Sequence, residues 1–187
     1  GSKDNTAKIG KEYADKYPDT FRVISKENGG HGSTINCGIR NAVGKYFKVV
    51  DGDDWVNTAD FVKLVEDLEK TESEYVFTNY YEYYDDVNRQ KTVDFPQFKD
   101  GMEYDFADVA NKVYIPMHAL VIKTSVLKDN NIVIDEKCFY VDVEYVMFPV
   151  PFVNKVTFFD LHVYMYRLAL STQSVSILGF QKHINDH

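Results

Sequence analysis

Asp51-Gly52-Asp53-Asp54 places three carboxylates within four residues. Tyr46-Phe47-Lys48-Val49-Val50, ahead of them, reads as a strand, and Asn57-Thr58, after them, reads as a helix cap. A strand ending in Asp-x-Asp brings acidic groups to the carboxyl edge of a sheet, where open α/β folds bind ligands. Carboxylates that point the same way repel one another unless a cation lies between them. Hard oxygen ligands suit Mg²⁺ or Mn²⁺, and such an ion can hold a diphosphate and neutralise its charge. The competing reading is a solvated turn, since Asp-Gly is common in turns.

The elements that must position these groups follow a pattern. Thr6 to Tyr17 reads as a helix, with Ile9, Tyr13 and Tyr17 four apart. Phe21 to Ser25 reads as a short strand, and Glu27 to Ser33 as a glycine-rich loop. Ser33 to Val43 reads as a helix with Ile35, Ile39 and Val43 on one face. Asn57 or Thr58 caps a helix running to about Lys70, and Tyr75 to Tyr84 reads as a strand. This alternation predicts an α/β fold with a mostly parallel sheet flanked by helices. Further on, Lys91 to Pro96 and Ala119 to Lys123 read as strands, Asp105 to Val113 and Val141 to Phe148 as helices, and Lys155 to Arg167 as a long strand. No linker is visible. One domain over residues 1–187 is expected, with a nucleotide part at 1–90 and an acceptor part at 91–187.

Composition narrows the function. The chain has 21 basic and 29 acidic side chains, a net charge of −8, which argues against a nucleic-acid partner. Cys37 and Cys138 form no CxxC and read as buried free thiols in a reducing compartment. No apolar run approaches the ~18 residues of a membrane span. Tyr80, Tyr81, Tyr83 and Tyr84 form either a stacking wall or core packing, and Trp55 either packs a ligand or anchors its loop. His118 reads as a core histidine or as a group near a second substrate. His183 and His187 lack the glutamate of a zinc-protease helix and read as tail.

Taken together, five segments resemble bacterial family 2 glycosyltransferases of the GT-A (Rossmann-like) fold. Gly1-Ser2-Lys3-Asp4-Asn5-Thr6 is similar to the end of the family's Asp-Gly-Ser-x-Asp-x-Thr motif. Asn28-Gly29-Gly30 with Asn36-Cys37-Gly38-Ile39-Arg40-Asn41-Ala42-Val43-Gly44 resembles its Asn-x-Gly and Ala-Arg-Asn-x-Gly stretch. Val50 to Trp55 resembles Leu-Asp-Ser-Asp-Asp, and Phe139 to Tyr145 resembles Tyr-Glu-Asp-x-x-Phe. Tyr164 to Arg167 with Gln173-Ser174-Val175-Ser176 resembles the acceptor-side tail. Val141 replaces the glutamate that usually precedes Asp142.

The resemblance implies an inverting hexosyl transfer from a nucleoside diphospho-sugar, most often a UDP-sugar, to a carbohydrate or lipid-linked hydroxyl acceptor, with Mn²⁺ or Mg²⁺. It assigns Asn36, Arg40, Asp51 and Asp53 to the nucleotide, Asp53 and Asp54 to the metal, and Asp142 to the general base. His118, Glu144, Gln173 and Ser174 fall on the acceptor side. A hydroxyl is a poor nucleophile at neutral pH, so a base at Asp142 makes chemical sense, although Asp142 can also cap its helix. The resemblance places the protein in cell-surface polysaccharide synthesis, in the cytoplasm or at the inner face of the membrane. It also implies that the chain starts inside the family's first motif, short of roughly 35–45 residues by the usual βαβ length. That predicts weak nucleotide binding and dimers through exposed sheet edges. Two other classes compete. Haloacid-dehalogenase-like phosphatases also use an apolar strand ending in Asp-x-Asp, here Asp51 and Asp53. A non-catalytic nucleotide- or carbohydrate-binding module is the other.

Overall fold

Two long strands rich in aromatic and β-branched residues form the centre of the molecule. In the computed structural model, which describes residues 1–169, β3 (Tyr75–Tyr84) and β7 (Lys155–Leu168) run parallel along ten pairs of residues. β1 (Tyr46–Phe47) pairs with β6 (Leu120–Lys123), and β6 pairs with β3. β2 (Trp55–Val56) and β5 (Met102–Asp105) flank β7, and β4 (Arg89–Val93) folds back on β3. The sheet order is β1-β6-β3-β7-β2, with β4 and β5 off this path.

The sheet is mixed, not mostly parallel. Among the described residues only β3 and β7 pair in parallel; the other pairings are antiparallel. Helix–strand alternation reports connectivity, and connectivity leaves strand direction open. Phe21 to Ser25 joins no strand, and the run from Tyr46 contributes only two paired residues. β-propensity describes a side chain's fit to a pleated surface, and without a partner it makes no strand.

The β3/β7 register slips on both sides of Asn79. Asn79 is 1% exposed and holds the irregularity: its Nδ2 donates to Asp160 Oδ1 (2.6 Å) and its Oδ1 accepts from Phe95 N (2.9 Å). After the slip Tyr80 joins the core face that Tyr75 and Phe77 occupied before it. Tyr81 and Tyr83 instead pack with His162 and Trp55. The tyrosine run is therefore divided between two packing environments and forms no single wall.

Helices cover both faces. On one, α2 (Gly30–Asn41), α4 (Phe106–Ala110), α5 (Thr124–Asp129) and α6 (Asp142–Met147) contribute Ile35, Ile39, Val109, Leu127 and Tyr145 to the larger core. On the other, α3 (Thr58–Lys70) lays Leu64 on Val76, Val121 and Val163. Asn57 caps α3 by accepting from Ala59 N and Asp60 N, satisfying two amides that lack helical partners. α1 (Thr6–Lys16) buries no residue. Cys37 and Cys138 are thiols outside any disulfide and are half-buried, less enclosed than expected. Among the described residues, no helix is long and apolar enough to cross a membrane.

Candidate active site

The acidic segment is a turn, held from beneath. Asp54 N donates to Asp51 O (3.2 Å), closing four residues, and β2 starts at once with Trp55 paired to Met165. Tyr164, fully buried on β7, joins the two ends of the turn: its hydroxyl accepts from Asp51 N (3.1 Å) and donates to Asp54 Oδ2 (2.6 Å). Arg167 N donates to Asp54 Oδ1 (2.7 Å). Burial pushes the Asp54 carboxyl up to about 6, helped by Asp53 and Asp51 and opposed by these two hydrogen bonds. Asp53 stays exposed at the turn's crest.

Two histidines face this turn. His31 sits in the first turn of α2, with Nε2 3.0 Å from Asp51 Oδ1. The contact lies off the hydrogen-bond line, so this solvent-sealed nitrogen has no aligned partner. Direct contact with Asp51, and the fields of Asp51, Asp142 and Asp53, hold the imidazole above its usual value despite burial. His118 stacks on Tyr166 (centroids 3.8 Å apart) and meets Tyr164 edge-on (5.1 Å). Burial lowers it to about 4, so it is neutral at pH 7. Lys48, with its stem partly exposed and its ammonium turned inward, donates to His118 O (2.8 Å) and Leu120 O (3.2 Å). Desolvation brings it down to about 7.

The donor set fits a divalent cation. One ligand atom each from Asp51, Asp54 and His118 lies within 4.8 Å of the others, and the imidazole is in its coordinating, neutral form. A buried carboxylate pushed upward by two neighbouring carboxylates is the electrostatic strain that a cation relieves.

Asp142 is the first residue of α6, after Val141 at the cap position, so it does not occupy the cap itself. Its field reaches His31 and Tyr166, both of which also feel Asp51 and Asp53. The far carboxylate and the turn thus act on the same two side chains.

Other predicted residues have different surroundings. Asn36 is 3% exposed and spends its amide on the protein: Nδ2 donates to Ile134 O (2.8 Å) and Glu136 Oε1 (3.2 Å), and Oδ1 accepts from Ile134 N (2.9 Å). It ties α2 to the 134–136 loop and turns away from the cleft. Arg40 is exposed at the opposite end of α2 from His31, nine residues or ~13 Å along the axis, so it is not brought to the turn. Glu144 accepts from Asp135 N (2.8 Å) and braces the same loop. Trp55 packs edge-on against Tyr83 (5.4 Å). Gln173, Ser174, His183 and His187 lie outside the described residues.

Sequence reasoning missed His31, Lys48, Tyr164 and Tyr166 as site residues. Lys48 did carry a signal: it is the one charge inside an apolar strand-like run. His31 carried another, in a glycine-rich loop that opens a helix.

Comparison with known proteins bears on the fold and the family. TarS 1-349 of S. aureus, solved in complex with UDP-GlcNAc, shares the fold with a TM-score of 0.69 at 20% identity, over 94% of this chain and 49% of that one. The glycosyltransferase EpsJ of Bacillus subtilis (strain 168) is 40% identical over 81 residues, 43% of this chain and 23% of its own length. The minor teichoic acid biosynthesis protein GgaB of the same organism is 36% identical over 73 residues, 39% of this chain and 8% of its own. The chain therefore spans less than half the length of each. The family model described as glycosyl transferase family 2 matches residues 1–130, which include the acidic turn and both histidines but not Asp142. With most of its length so matched, the chain belongs to glycosyl transferase family 2.

Proposed function

We propose that this chain carries the donor-binding and catalytic face of an inverting glycosyltransferase that moves a sugar from a nucleoside diphosphate to a hydroxyl. The observation that carries the reading is the Asp51/Asp54/His118 cluster at the acidic turn, whose ligand atoms lie within 4.8 Å of one another, with His31 3.0 Å from Asp51. Asp51, Asp54 and His118 would hold Mn²⁺ or Mg²⁺, with Asp53 at the crest of the turn facing the nucleotide. The ion supplies positive charge where the leaving diphosphate gains negative charge. His31, whose imidazole is held above its usual range by Asp51, lies beside it. Asp142 accepts the proton of the attacking hydroxyl on the opposite side of the anomeric carbon, which inverts that centre.

The UDP-GlcNAc bound by TarS supports a UDP-sugar as donor. The name of GgaB, a minor teichoic acid biosynthesis protein, supports a cell-surface polymer as the product. We place the reaction in the cytoplasm, where nucleotide sugars are made, and at the inner membrane face when the acceptor is lipid-linked. Family membership sets aside the phosphatase alternative.

The test is transfer from UDP-GlcNAc, in Mn²⁺, to a panel of hydroxyl acceptors, followed by UDP release. Asp142→Asn is expected to slow transfer by roughly 10²–10⁴ while UDP affinity stays within twofold. Transfer at the unsubstituted rate would remove Asp142 as the base. Binding of sugar without metal and without turnover would favour a binding module.

A further inference from the structure

Beside α6 lies a groove of about 520 Å³ that the donor chemistry does not use. Its floor is Tyr75, Phe106 and Val109, and its far wall is Val146, Met147 and Val150. The Tyr75 hydroxyl is spent internally, donating to Val146 O (2.7 Å), so the floor offers little polarity. Ala110 and Tyr114 line the opening and are exposed, Tyr114 by 57%. Apolar surface continues out of the groove onto Val143 (47% exposed) and Met147 (49%), one turn apart on α6. The volume lies in the range that small-molecule sites occupy, and an apolar lining with a few polar groups at the mouth is their usual character.

Position gives this groove a role. Asp142 begins α6, and Val146 and Met147 end it, so the carboxylate lies only ~6–8 Å along the axis from the groove wall. Tyr114, at the opening, is close enough to feel the charge of Asp142. A ligand with its hydroxyl at Asp142 would therefore lay whatever follows that hydroxyl into an apolar trough.

We infer that the groove between α4 and α6 binds the apolar part of an amphiphilic acceptor, a hydroxyl-bearing head joined to a hydrocarbon. The inference rests on the transferase reading and names its acceptor class. A free polysaccharide end would gain nothing from Phe106, Val109 and Met147, whereas a hydrocarbon leaves water there. The net charge of −8 makes an anionic membrane surface a poor occupant.

The probes are octyl β-D-glucoside, kept below its micelle concentration, and methyl β-D-glucoside, titrated into the chain by NMR. Octyl glucoside is expected to bind at least tenfold more tightly. Ala110→Trp, which fills the opening, and Met147→Glu, which charges the wall, are both expected to erase that difference while retaining a cooperative melt. Both positions are exposed, so the fold tolerates them. Equal affinity of the two glucosides, or an octyl preference that survives both substitutions, would overturn the inference. A parallel Mn²⁺-dependent UDP titration separates the two readings. UDP binding without octyl preference leaves the transferase standing and removes the groove. Octyl preference at the groove without UDP binding supports the site and removes the donor-binding reading of this chain.

Discussion

Asp54 and His118 have opposite electrostatic problems in one small space. The folded imidazole takes a proton only below about 4, the unfolded one below 6.5. Between those values the unfolded state holds more protons, so His118 makes stability fall as pH drops, by at most ~3 kcal/mol. Asp54 works the other way: its folded carboxyl keeps a proton up to about 6, against 3.8 unfolded, so its contribution grows as pH falls through the same window. The two partly cancel. Urea midpoints measured in EDTA at pH 4.5 and 7 are expected to show His118→Asn gaining stability toward acid relative to the parent and Asp54→Asn losing it. Parallel curves for all three proteins would show that burial does not set these groups. The three aspartates were legible in the sequence because they are contiguous and follow an apolar run. Tyr164 was not, since it lies 113 residues from Asp51 and its role arises only through tertiary contact.

At the scale of elements, α2 decides where His31 points, and two residues fix α2 against the 134–136 loop. Gly32 admits no side chain: a Cβ there would stand 1.9 Å from Asp135 O. Gly32→Ala is expected to cost about 1–3 kcal/mol or more as the loop is forced away. Asn36→Ala strands the Ile134 amide and carbonyl and is expected to cost about 1–3 kcal/mol while leaving UDP affinity within threefold, because its amide faces the protein. A large loss of UDP affinity at unchanged stability would restore Asn36 to the nucleotide. Sequence reading located β3 from Tyr75 to Tyr84 and the α3 cap correctly, because alternation and capping are local. It misjudged Phe21 to Ser25 and the direction of the sheet, because pairing depends on strands far away in sequence.

Across the whole molecule, stability is concentrated in the β3/β7 pair and the two cores that sandwich it. α1 stands apart: Ile9 and Tyr13 are 51% and 52% exposed, and the helix buries nothing. Amide exchange is expected to be slowest in β3 and β7, near the global unfolding limit, and within about 1–2 kcal/mol of unprotected in α1. Equal protection in α1 and β3 would mean that a further surface covers α1. The site lies at the turn that leads into β2 beside β7, and its electrostatics can be read directly with a spectroscopic cation. Titrating Mn²⁺ and following the free-ion electron paramagnetic resonance signal, with and without UDP, tests the central claim. The account predicts that UDP tightens Mn²⁺ binding at least tenfold, with Mn²⁺ tightening UDP equally, and that Asp51→Asn abolishes the effect. Mn²⁺ binding indifferent to UDP, or unchanged in Asp51→Asn, would contradict it.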